Sequence, residues 1–312
     1  MKVELIDLKQ RFKHEEKTIM KIVHKVLSKG NLILTKEVQN FEKSVCKYTN
    51  TKYCLGLNSG TDALMMSLWS SGIKKGDEVI TSPISFVATA NAIVHVGAKP
   101  VFVDVGEDLN INPKLIENAI TKKTKAIIPV HWTGRVCQMD EIMKIANKYG
   151  LIVIEDAAQA TGAYYKKKHA GTFGKISAFS THPLKNLNAL GDGGFVITND
   201  KRLYDKIKLY RSHGLEGRDD AKIIGVNSRL DSLNAEVLSF RLKKLKEIIK
   251  KRKRNINLYR KYIKTDKVKI LVDGKNEINS YVMFITLSKK REKLQKYLKK
   301  YRIQSLLYYP TP

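Results

Sequence analysis

Residues Leu151 to Ala163 read LIVIEDAAQATGA: an apolar run, two acids, then small residues. The run reads as a strand buried on both faces, the kind found in largely parallel sheets. In open α/β sheets ligands bind beyond the carboxyl ends of the strands, and Asp156 falls at such an end. Taken alone, Asp156 serves equally well as a helix N-cap.

Working outward, short apolar runs rich in β-branched residues alternate with stretches of helical period, the pattern of an α/β domain with a mostly parallel sheet. The strands are expected at 53–57, 78–81, 101–105, 126–130, 151–155, 176–180 and 195–198. Helices are expected at 61–71, 87–96, 113–119, 140–149 and 201–210. After about residue 230 the character changes: a long basic helix from Ser232 to Tyr262, a strand at 281–287, a helix at 291–301, then LLYYPTP. With 312 residues the chain can bury a large core, and the expectation is a large domain over 1–240 with a smaller C-terminal α/β domain over 241–312. Because the chain stops just after Pro310–Thr311–Pro312, where an αβ unit has begun its next strand, that small domain is expected to be incomplete.

Composition narrows the class. The only cysteines are Cys46, Cys54 and Cys137, without CxxC spacing, so reduced thiols are expected and structural zinc is not. No apolar run is long enough to span a bilayer and the amino terminus lacks a signal-peptide core, which points to a cytoplasmic protein with no membrane partner. Lys+Arg 58 against Asp+Glu 30 gives a net charge of +28, which would attract polyanions. The densest cluster, KKLKEIIKKRKR from Lys243 to Arg254, keeps apolar residues at helical spacing, so it reads as a solvated helix face rather than a nucleic-acid surface. A phosphate-bearing small substrate suits the same charge.

Two further motifs carry chemistry. In LNSGTDALMMSL, Leu57 to Leu68, a strand passes through Ser59–Gly60–Thr61 into a helix whose free N–H groups and dipole favour an anion. Ser-Gly-Thr is also an ordinary cap, and no GxxxxGK[ST] occurs. In FSTHPLKNLNALGDGGFVITND, Phe179 to Asp200, Lys185 sits in an apolar, glycine-bounded loop, where burial would favour the neutral amine that attacks an aldehyde. A surface lysine in a loop is the alternative, and what favours chemistry is the ordered set of anion turn, strand-end carboxylate and lysine loop.

Together SGTDAL, ISFVATANAI, VFVDV, PVHWTGR, VIEDAAQATGA, STHPLKNLNALGDGG and GVNSRLDSLNAEVL resemble the DegT/StrS family of sugar aminotransferases through nearly all of residues 1–312. The resemblance implies the fold-type-I architecture of pyridoxal-phosphate (PLP) enzymes: a seven-stranded, mostly parallel sheet, a smaller C-terminal domain, and a homodimer with shared active sites. It implies that Lys185 carries the Schiff base, that Asp156 pairs with the pyridine nitrogen, that Gln159 meets the ring hydroxyl and that Phe86 stacks on the ring. Ser59, Gly60, Thr61 and Ser180 resemble the phosphate-binding set, with Asn227 reaching in from the neighbouring subunit. Without the resemblance, Phe86 could be core and Asn227 a turn residue. Arg229 is either a carboxylate clamp for the amino donor or half of an internal salt bridge. His131 and Tyr309 are expected to contact substrate. His131 and His182 read as pocket-wall or hydrogen-bonding residues, and no metal site is expected.

The chain departs from the family pattern at Thr181–His182, where many members have an aromatic pair, and at Tyr308–Tyr309–Pro310, where His-Tyr-Pro is typical. The family's sugar dehydratases carry histidine at the lysine position, so Lys185 argues for transamination. The expected reaction is ping-pong transfer from L-glutamate to a nucleotide-linked keto-deoxysugar. The competing expectations are an aminotransferase for a non-nucleotide keto-sugar acid and a truncated, noncatalytic PLP-binding homologue.

Overall fold

The structure, a computed structural model, describes residues 2–310. Seven strands form one sheet: β1 (Tyr53–Leu57), β2 (Glu78–Thr81), β3 (Lys99–Phe102), β4 (Thr124–Ile128), β5 (Ile152–Asp156), β6 (Ile176–Ser180) and β7 (Gly194–Thr198). Their order is β1-β7-β6-β5-β4-β2-β3. Only β7 runs against its neighbours, β1 and β6; the other pairings are parallel. Six carboxyl ends therefore share one edge of the sheet, and the amino end of β7 joins them there.

Side chains alternate across this sheet as the period of two requires. Val153, Phe195 and Ile197 enter one core, while Ile154, Val196 and Leu55 enter the other. The first core is covered by α2 (Lys36–Thr49), α6 (Met139–Tyr149) and α8 (Ser232–Tyr262), the second by α3 (Gly60–Ser70), α4 (Ala88–His95) and α7 (Lys201–Tyr210). Covering both faces is what makes the strands read as nearly continuous apolar runs. The remaining helices are α1 (Leu8–Leu27), α5 (Pro113–Ile116) and α9 (Arg291–Lys300). Ile19, Ile22 and Val26 of α1 pack on Val237 of α8 in a third, small cluster.

The observed strands of the seven-stranded sheet lie within three residues of the expected ones. The largest offsets are at 101–105 and 126–130, observed as Lys99–Phe102 and Thr124–Ile128. The ladder with β2 sets these limits, since Glu78 pairs with both Lys99 and Thr124. The strand expected at 281–287 shrinks to Thr286–Leu287, paired with Lys269–Ile270. Tyr281 has φ +51°, outside the extended region, and its carbonyl accepts from Arg252 instead of a ladder partner. α8 runs unbroken through residue 240, so no linker separates the chain there; the C-terminal segment also returns Glu277–Ile278 to pair with Tyr164–Tyr165. Along α8, Leu242, Leu245 and Ile249 are buried while Lys243, Lys244, Lys246 and Lys250 are exposed, the solvated basic face its spacing implied. No described helix is long and apolar enough to cross a membrane. Thr311 and Pro312, which close the YYPTP motif, lie outside the described residues.

Candidate active site

The shared carboxyl edge brings three distant motifs together. Ser59, following β1, caps α3: its hydroxyl accepts from Asp62 N at 3.0 Å. Gly60 and Thr61 then occupy the first helical positions, whose N–H groups have no acceptor within the helix. This tip lies directly on the end of β6, because a Cβ at Gly60 would come within 2.7 Å of Ser180 Cβ. A Cβ at Gly194, the start of β7, would fall 2.4 Å from the Ser59 carbonyl oxygen. Only glycine allows either approach, and the result is a narrow cradle of backbone N–H groups and the Ser180 hydroxyl.

Asp156 ends β5 and is 5% exposed. Its carboxylate accepts from Thr89 Oγ1 at 2.7 Å and from Ala158 N at 3.1 Å. Those bonds fill two of roughly four lone-pair positions and fix the carboxylate plane. Lys185 is half-buried; burial pushes its amine below the usual lysine range, and the charge of Asp156 pulls it partly back. The Lys185 amine thus lies within reach of the Asp156 charge.

The lysine loop is held at several points. Thr181 N donates to Gly193 O and Ala189 N to Thr181 O, closing the base of the β6–β7 hairpin. Arg241 of α8 donates to the carbonyls of Asn188 at 2.7 Å and Ala189 at 3.0 Å, and its other nitrogens hold Glu15 of α1 at 2.7 and 3.0 Å.

Gln159 Oε1 accepts from Thr133 N at 2.8 Å, which leaves its amide N–H groups as donors. Phe86 is 56% exposed, so it is not core; its ring centre lies 6.1 Å from that of Tyr309. Tyr309 is half-buried, and burial pushes its hydroxyl up. Arg229 forms no ion pair among the described residues, and its Nε is buried without a partner. Asn227 is exposed, next to Ser228, whose hydroxyl donates to Asp62 at the α3 tip. His182 is exposed and accepts from Leu184 N within its own turn.

His131 is placed differently from the sequence expectation. It is 0% exposed: Nε2 donates to Glu155 Oε2 at 2.8 Å and Nδ1 accepts from Cys137 N at 3.2 Å, so no ring nitrogen is left for a substrate. Burial raises the Glu155 carboxyl, but His131 and the N–H groups of Gly174 and Gly171 more than offset this and hold it below the usual range. Thr89, Glu155 and Arg241 were not singled out from the sequence. Among the described residues no three His, Cys, Asp or Glu side chains gather as a metal site.

Residues 13–312 match the DegT/DnrJ/EryC1/StrS aminotransferase family. The chain belongs to this family. It is 38% identical to the UDP-2-acetamido-2-deoxy-3-oxo-D-glucuronate aminotransferase of Pseudomonas aeruginosa over 99% of this chain and 87% of that one. It is 39% identical to the dTDP-3-amino-3,6-dideoxy-alpha-D-galactopyranose transaminase of Aneurinibacillus thermoaerophilus, over 99% and 86% of the two chains. The structure of DesV from S. venezuelae superposes with a TM-score of 0.97 at 34% identity, covering 100% of this chain and 84% of DesV. The chain is a PLP-dependent sugar aminotransferase. The cradle, the buried carboxylate and the apolar lysine fit a phosphorylated pyridine aldehyde.

A buried histidine outside this site sets an acid limit on the fold. Burial pushes His169 from 6.5 down to about 4, with Nε2 accepting from Gly162 N at 2.9 Å and Nδ1 donating to Ala170 O. Between those values the unfolded chain binds the extra proton and the native state does not, so stability falls as pH drops. The expected loss from this group is about 3 kcal/mol from pH 6.5 to 4, read from urea unfolding midpoints. A His169→Gln variant should be less stable at pH 7 and show a shallower decline over that window; an unchanged decline would assign it to other groups.

Proposed function

We propose that the chain carries an amino group from L-glutamate to the keto group of a nucleotide-linked deoxysugar, making an amino sugar for surface polysaccharide or a glycosylated metabolite. The observation that carries the catalytic part is Lys185 held below its ordinary range by burial while lying within reach of the Asp156 charge. The acceptor class is supported by the relatives, whose names specify UDP- and dTDP-linked sugars.

When bound, PLP supplies an aldehyde carbon and an electron-withdrawing ring. Lys185, whose amine burial holds below the usual lysine range, would hold that carbon covalently. With its amine free, Lys185 would be the base and acid that moves a proton at the substrate carbon bearing nitrogen. The free lone pairs of Asp156 hold a proton on the ring nitrogen. Gln159 donates its amide N–H to the ring oxygen, and Phe86 offers a flat apolar face to the ring. The N–H groups of Gly60 and Thr61, with the hydroxyls of Ser59 and Ser180, take the phosphate. Exposed Asn227 reaches the phosphate of a neighbouring subunit in a homodimer, and Arg229 and Tyr309 contact substrate.

Asp156→Asn is expected to keep bound cofactor, since the lysine and phosphate contacts remain, yet to lose about 10²-fold in turnover. Near wild-type turnover in that variant would remove Asp156 from the chemistry. The whole reading is tested by the visible spectrum of the protein with PLP before and after L-glutamate, followed by UDP- and dTDP-linked keto sugars. The expected sequence is a band, its conversion to that of the amine form, and its return with the right sugar. A band that responds to another amino acid but not to glutamate overturns the donor, and no band overturns the assignment of the site.

A further inference from the structure

Next to Lys185 lies a cavity of about 330 Å³ whose wall includes Arg11, Arg252 and Asn255. Arg252, which lines the cavity, donates from Nη1 to the carbonyls of Tyr281 and Val282 at 3.1 and 2.9 Å, bonds that fix the guanidinium and leave Nε and Nη2 without an acceptor among the described residues. Arg11 Nη2 is buried and has no hydrogen-bond partner. Positive charge is in excess here. Glu15 is the buried carboxylate of the cluster and is already shared between Arg11 at 3.5 Å and Arg241 at 2.7 Å. Asp7, on the exposed rim, is engaged in capping α1 through Gln10 N at 2.7 Å. Burial, then the charge of Arg241, pushes Arg11 below its ordinary range; burial, then Arg11, does the same to Arg252. Two desolvated guanidinium groups with an orphaned donor call for an anion with several acceptor positions, and a carboxylate matches that fork.

We propose that this cavity is the carboxylate subsite for the amino donor, in which Arg11 and Arg252 pair with the carboxylate and turn the donor's amine toward Lys185. The inference rests on the aminotransferase reading of Lys185. The cavity is at the small end of ligand sites, a size for an amino acid rather than a nucleotide sugar.

The test measures the donor concentration that half-converts the cofactor's visible band in wild type, Arg11→Gln, Arg252→Gln and Arg229→Gln. L-glutamate, L-glutamine and L-alanine serve as donors, and the keto-sugar half-reaction is measured separately. Arg11→Gln and Arg252→Gln should each raise that concentration about 10- to 100-fold for whichever donor wild type accepts, with the starting band present. Arg11→Lys, which keeps the charge without the fork, should restore part of the loss. Calorimetric binding of glutarate to the same proteins gives a readout independent of turnover, so a wild type that converts no donor sinks the reaction reading while the subsite is still decided. If Arg252→Gln fails to fold through its lost carbonyl bonds, Arg11→Gln decides alone. Unchanged donor and glutarate affinity in Arg11→Gln, a loss confined to Arg229→Gln, or a loss confined to the keto-sugar half-reaction each overturns the proposal.

Discussion

Lys185→Ala is expected to abolish covalent attachment of PLP and to lower transamination by at least ~10³-fold. The fold should hardly notice. The loop's hydrogen bonds run through its backbone and through Asn186 and Asn188, and the Lys185 amine itself makes none among the described residues. Unfolding midpoints should therefore stay close to wild type while the borohydride-reduced adduct disappears. Finding the adduct on another lysine after reduction and peptide mass analysis would sink the assignment. The comparison is informative because the chain holds many other lysines, most of them in solvated, charged surroundings.

The second large effect is expected at a residue that touches no cofactor. Arg241 is 6% exposed and binds Glu15, itself 8% exposed, together with two loop carbonyls. Arg241→Met would leave Glu15 buried with only the 3.5 Å contact to Arg11, and would strip a donor from Asn188 and Ala189. Breaking a buried pair from one side costs about 3–5 kcal/mol, which denaturant midpoints would register directly. Arg241→Met with Glu15→Gln should cost less than the two changes summed, because the second removes the charge the first strands. Additive losses would show that the two side chains act separately. A shifted cofactor band in the folded fraction of Arg241→Met would show that the brace also sets the lysine's position.

The sheet was legible because every strand except the edge strand β3 is largely buried, so apolar runs stand out and only their ends drift. β3 and β4 drifted most, where residues such as Val103 and Val130 stay buried past the end of the ladder. The first two helices were not anticipated, although Val38, Phe41 and Val45 in one and Ile19, Ile22 and Val26 in the other keep helical spacing. Many charges between those positions mask the stripe. The three motifs of the site were each readable as local chemistry, and their order suggested a common destination. His131 was misplaced because strand order says which edge a residue reaches but not which way its ring turns. That direction is set by Glu155, a buried carboxylate that needs a donor. The Arg241 brace was invisible for a different reason: Glu15 lies 226 positions away, and nothing local marks the pairing.

The reversed strand β7 gives the two halves of the site different kinds of assembly. Because β6 and β7 are antiparallel neighbours, the lysine arm is a hairpin whose two stems already touch, and its closure costs little chain entropy. The anion cradle requires Gly60 to settle against Ser180, 120 positions along the chain, with the parallel crossovers of the sheet between them. The reactive amine is thus a short-range feature of the polypeptide and the phosphate seat a long-range one. A partly folded chain could carry the first without the second, and only completion of the sheet brings the amine and the seat into one place.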